Sequence, residues 1–156
     1  MRALHVVTVF SLLLAGPARG EEKGKEKVRV EAIELRLFGE EDGKIHPFSD
    51  RPNAYGMYMD ILVVVKLKGK LAFDMKPTQV VLKIDAKGWS DEATGDHGAW
   101  RLERKRPVHN LEGGVRYLLF VVPYAACYPE ARFAVSVVGR GGGSTKARKV
   151  NMGCAE

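Results

Sequence analysis

Between Val28 and Met152 no stretch of this chain holds a 3.6-residue apolar period for the length of a helix. What recurs instead is a short β-branched run of alternating polarity, ended by Gly, Pro, Asn or Asp. Alternation with period two puts every second side chain on one face of an extended strand, so this pattern commits the chain to sheets. Seven segments carry it. The first is residues 28–38, with Val28, Val30 and Ala32 in one phase and Ile33, Leu35 and Leu37 in the other. A flip of that kind near Ala32 predicts a bulge or a change of sheet, because a one-residue slip turns an apolar set to the opposite face. Residues 58–68 place Met59, Ile61, Val63, Val65 and Leu67 together, and residues 78–86 do the same for Val80, Leu82 and Ile84. Residues 99–105 set Trp100 and Leu102 inward against Arg101 and Glu103 outward, a charged pattern that suits a sheet edge. Residues 114–122 are apolar in both phases, and the last two segments, 131–138 and 146–152, flank the turn Gly139–Thr145.

Seven such strands predict an all-β, two-layer antiparallel sandwich, immunoglobulin-like or fibronectin-like, of about seven strands. A partly closed barrel is the alternative. The antibody-type signature is missing: the second strand has no cysteine, the third has no tryptophan, and Tyr124 precedes Cys127 by three residues rather than two.

The N-terminus bears on the compartment. Arg2, an apolar run from Val6 to Ala15 and the small-residue end Ala18-Arg19-Gly20 read as a secretory signal peptide over residues 1–20, with Glu21 as the mature start. Residues 21–27 are a charged lead-in, and residues 28–156 suffice for a single sandwich domain. No run reaches the length of a membrane span, so the expected location is secreted or periplasmic. The formal charge is +6, and two of those charges belong to Arg2 and Arg19. So small an excess does not point to nucleic acid, and the aromatic interleaving that single strands require is absent.

Export also makes the two cysteines readable, because an oxidising compartment lets thiols pair. Cys127 and Cys154 bracket the last hairpin. A turn centred near Gly142 would set Cys154 opposite residue 130, with Pro129 supplying an irregular approach that brings Cys127 into reach. A structural disulfide is expected. The signal peptide together with "CYPEARF" and "NMGC" resembles small exported bacterial immunoglobulin-like β-sandwich proteins of unknown function; the resemblance covers one hairpin and implies no activity.

Catalytic signatures are missing. There is no Gly-x-Ser-x-Gly, no Ser-x-x-Lys and no His-Glu-x-x-His, and the histidines after the signal peptide, His46, His97 and His109, fall in separate loops. The glycine-rich turn leads into a strand rather than a helix, so it reads as a hairpin tip and not a phosphate cradle. Asp91, Glu92, Asp96 and His97 share the segment 90–98, a weak candidate for calcium or for a metal-dependent enzyme; a solvated acidic turn uses the same letters. No cofactor and no enzyme activity are expected.

Surfaces carry the remaining information. Arg101, Arg104, Lys105, Arg106, Arg148 and Lys149 are candidate contacts for an anionic polymer such as envelope polysaccharide. Leu62 and Val64 on the second strand, with Leu118 and Phe120 on the fifth, are candidates for an apolar outer patch, since those strands neighbour each other in an immunoglobulin-like sheet. The long connection 39–57, which contains Phe48 and Tyr55, is expected to fold over that patch or to share it with a protein partner or a second copy. The expected function is therefore an exported binding or structural module of the bacterial envelope. A protease inhibitor presenting one exposed loop is a further alternative.

Overall fold

The computed structural model describes residues 27–48, 59–71, 77–91, 95–124, 128–139 and 142–152. Ten strands form: β1 (Arg29–Gly39), β2 (Ile45–Pro47), β3 (Met59–Leu71), β4 (Thr78–Ala86), β5 (Trp89–Asp91), β6 (Gly95–His97), β7 (Trp100–Val108), β8 (Leu111–Pro123), β9 (Tyr128–Val138) and β10 (Thr145–Met152). They build two antiparallel four-stranded sheets, β2-β1-β3-β8 and β10-β9-β4-β7, with β5 and β6 as a separate hairpin. This is the all-β two-sheet architecture the alternation predicts. The strand count differs from the expected seven because two turn-rich stretches pair locally. Residues 45–47 fold back on β1 through a turn in which Gly39 and Lys44 exchange a backbone hydrogen bond of 3.0 Å and Gly43 takes φ +65°. The 89–97 stretch pairs with itself.

The core lies between the sheets. β3 contributes Met59, Ile61, Val63, Val65 and Leu67, and facing it β4 contributes Val80, Leu82 and Ile84 while β9 contributes Phe133, Val135 and Val137, all buried. Each such side chain stabilises the fold by about 1.5–3 kcal/mol relative to exposure. Trp100 closes one end, its ring edge-on to Phe133 at a centroid separation of 6.2 Å.

The predicted phase flip in the first strand is a bulge. Val30 pairs with Leu67 and Ala32 with Lys66, which leaves Glu31 as the extra residue. A bulge breaks the local ladder, and here the start of β10 takes up the exposed backbone groups. The Ser144 hydroxyl accepts from the Val30 N–H at 2.7 Å, and Lys146 Nζ donates to the Glu31 carbonyl at 2.6 Å. A second tight approach lies in β3. Gly69 has φ +134°, and a Cβ there would sit 2.5 Å from the Lys27 carbonyl oxygen, so only glycine lets the segment entering β1 pass.

The last hairpin is tighter than the glycine spacing predicts. Thr145 faces Ser136 rather than residue 139, because Val137 and Ser144 already close the turn: Val137 N donates to the Ser144 carbonyl at 2.9 Å, and Gly143 N donates to the Val137 carbonyl at 2.9 Å. The ladder shifts once more beyond Val150 and ends with Met152 opposite Tyr128. Cys127 and Cys154 lie outside the described residues.

Candidate binding surface

Among the described residues β8 is an edge strand that pairs with β3 alone. Its register decides which of its two apolar phases faces water. Ile61, Val63 and Val65 point into the core, and they pair with Val122, Phe120 and Leu118. Phe120 is accordingly only 4% exposed and Leu118 is half-buried, so the expectation that these two belong to an outer patch is corrected. The outer phase is Val115, Tyr117, Leu119 and Val121, exposed by 45%, 61%, 41% and 51%. Leu62 and Val64 do lie on this side, half-buried, directly opposite Val121 and Leu119. Six apolar side chains thus share one outer face, although a solvated antiparallel sheet ordinarily presents polar residues there.

Lysines bound the face at one end. Lys66 and Lys68 stand opposite Tyr117 and Val115, and both approach the bulged Glu31, at 3.0 and 4.0 Å. The hydrogen bond from Lys66 holds the Glu31 carboxyl below its ordinary value and raises the Lys66 ammonium in turn. The long connection does not reach β8 through its described part. Residues 45–47 extend the sheet at the opposite edge, two strands away, and Phe48 packs against the core. Tyr55 lies outside the described residues.

The backbone of β8 adds a second property. Arg106 Nη1 donates to the Leu119 carbonyl at 2.9 Å, so that carbonyl points away from β3. Backbone direction alternates along a strand, and the N–H and C=O groups of Val115, Tyr117, Leu119 and Val121 therefore all face the open edge. The residues that show apolar side chains are the same ones that show free pairing capacity.

Arg106 comes from β7, the edge strand of the other sheet. It sits opposite Val80, and Arg104 opposite Leu82, which puts both at core-facing positions of β7. Arg116 holds the corresponding position on β8, opposite the buried Leu67. Three arginines thus border the open seam between the sheets. Their hydrogen bonds go to carbonyl oxygens: Arg104 to Glu103, Arg106 to Leu119 and Arg116 to Asn110. Core-facing charges on edge strands discourage pairing with a like strand.

The six basic residues singled out from sequence do not form one surface. Arg101 pairs with Asp85 at 3.3 Å, Lys105 with Glu103 at 2.9 Å and Lys149 with Glu130 at 2.8 Å, all on the outer face of β10-β9-β4-β7. The lysines lower the Glu103 and Glu130 carboxyls by hydrogen bonding. Arg104 and Arg106 border the β7–β8 seam, and Arg148 lies opposite Phe133 on the far edge strand. Alternation separates what the letters place side by side.

The acidic segment is a hairpin rather than an open loop. Its register pairs Trp89 with His97, Ser90 with Asp96 and Asp91 with Gly95. Glu92 lies outside the described residues. Among the described residues no three His, Cys, Asp or Glu side chains gather as a metal-ligand set. Among the described residues no helix is long and apolar enough to cross a membrane.

Comparison with protein-family models, characterised proteins and solved structures returned no match to this chain.

Proposed function

We propose that this protein is an exported, non-enzymatic binding module of the bacterial envelope, with the outer face of β3 and β8 as its working surface. The observation that carries the reading is the exposed row Val115, Tyr117, Leu119 and Val121 on an edge strand, since a monomeric surface seldom leaves so continuous an apolar strip unused. Strand order supports an immunoglobulin-like class. The seven long strands run first-second-fifth in one sheet and fourth-third-sixth-seventh in the other, which differs from the constant-type arrangement by transfer of the fourth strand. Export rests on the N-terminal sequence, and the hairpin bridge between Cys127 and Cys154 belongs to the same reading.

A protein partner fits better than a polysaccharide. The cations Lys83, Arg101, Lys105 and Lys149 are each engaged by a carboxylate of their own sheet, Lys83 and Lys105 sharing Glu103, which leaves less free charge for an anionic polymer. A photo-crosslinking residue installed at position 117 in the exported protein should give discrete adducts, and one at Ala147, on the outer face of the other sheet, should not. Equal labelling at both positions, or none at 117, would reject the surface.

A further inference from the structure

We infer that β8 is a strand-acceptor edge for an extended acidic segment of a partner protein; this rests on the binding-module reading and specifies the chemistry of the partner. Strand addition needs an open edge with backbone groups directed outward, which Leu119 and the residues of its phase provide. An added strand must itself alternate. Its residues opposite Val115, Tyr117, Leu119 and Val121 lie on the outer apolar face and are therefore apolar. The residues between them project over the seam bordered by Arg104, Arg106 and Arg116. Those arginines donate to carbonyl oxygens and, among the described residues, pair with no carboxylate, whereas Lys83, Arg101 and Lys105 on the outer face of the other sheet each meet one. Acidic side chains at the alternate positions would supply the missing counter-charge.

Charge also selects against a second copy. A β8-to-β8 pairing about a two-fold axis would carry the partner's equivalent of Arg116 onto the same seam, beside Arg104 and Arg106. Arg106 occupies the Leu119 carbonyl, so one acceptor of this otherwise open edge is taken until the guanidinium is displaced. An acidic strand draws the guanidinium to its carboxylate and frees the carbonyl for pairing.

The probe is a fluorescein-labelled nonapeptide alternating Val and Glu, followed by fluorescence anisotropy against the full protein. Saturable binding is expected, at least about tenfold tighter than for the peptide alternating Val and Lys. N-methylation of the Val residues, whose N–H groups would meet β8, should abolish binding, while N-methylation of the Glu residues should leave it. Tyr117→Lys and the pair Arg104→Glu with Arg106→Glu should each weaken it by about tenfold or more, the pair also shifting preference toward the Val/Lys peptide, with urea midpoints verifying that both variants fold. Equal affinity for the two peptides, insensitivity to Val methylation, or a dimer in sedimentation equilibrium that Tyr117→Lys dissolves would each overturn the inference. Crosslinks at position 117 without Val/Glu binding would retain the surface and reject the acidic strand.

Discussion

Ser144 illustrates how much a single hydroxyl does in a fold made almost entirely of backbone ladders. Beside the bulge at Glu31 the Val30 N–H is received by Ser144 Oγ, across a sequence separation of more than a hundred residues. Loss of one partner from a part-buried pair leaves the other short of a hydrogen bond. Ser144→Ala should therefore destabilise the protein by about 1 kcal/mol or more in urea unfolding, and Thr145→Ala, whose hydroxyl meets Ser136 at the surface, should stay within about 0.5 kcal/mol. The bulge itself was legible, because the apolar phase of residues 28–37 reverses. Its repair was not, since nothing local connects the letter at 144 with an N–H at 30.

At the scale of the strand, legibility divides by face. β3 alternates cleanly and buries the set periodicity predicts; β4 buries its predicted Val80, Leu82 and Ile84, with Val81 buried out of phase between them. β8 is apolar in both phases, so periodicity offers two equal answers and only pairing with β3 chooses between them. The same division explains the basic residues. Arg104 and Lys105 are adjacent letters on opposite faces, one at the seam and one bound to Glu103. The choice of phase in β8 has a direct mutational signature. Phe120→Ala, which empties a core position, should cost about 3–5 kcal/mol, while Leu119→Ala one residue away should cost less than about 1 kcal/mol. Equal losses in urea unfolding would mean that the outer row is covered in solution, which would also remove the surface on which the binding reading stands.

Across the whole molecule, ionisation confines stability on both sides. Glu31, Glu103 and Glu130 are each lowered by a lysine from an ordinary value of 4.5; their stabilisation is present above that value and declines as pH falls through the lowered one. These pairs are exposed, so added salt should flatten the acid limb. The alkaline limb belongs to Tyr124, which follows β8 and packs against the core; burial pushes its phenol up to about 12. A raised phenol pKa means that the folded state resists ionisation. Its contribution is complete below the unfolded value near 10 and falls as pH rises from there through about 12. Tyrosinate absorbance should show a late-ionising component that Tyr124→Phe removes, and that variant should lose less stability than the parent between pH 10 and 12. A full-amplitude titration near 10 would mean that the end of β8 is open to water.

The hairpin of β9 and β10 closes the second sheet, and its covalent state sets how much of the fold survives once the ladders open. Its last described pair, Tyr128 with Met152, stands one residue after Cys127 and two before Cys154. A bridge there would shorten the unfolded chain by a closed loop spanning both strands, worth about 3–4 kcal/mol in the chain-entropy account. The protein purified under oxidising conditions should be two hydrogens lighter than its reduced form by mass spectrometry, and reduction should lower the urea midpoint. Replacing both cysteines with serine should reproduce that loss and abolish the response to reductant. A reductant-insensitive midpoint in the parent would place the stability of this sheet in its ladders alone.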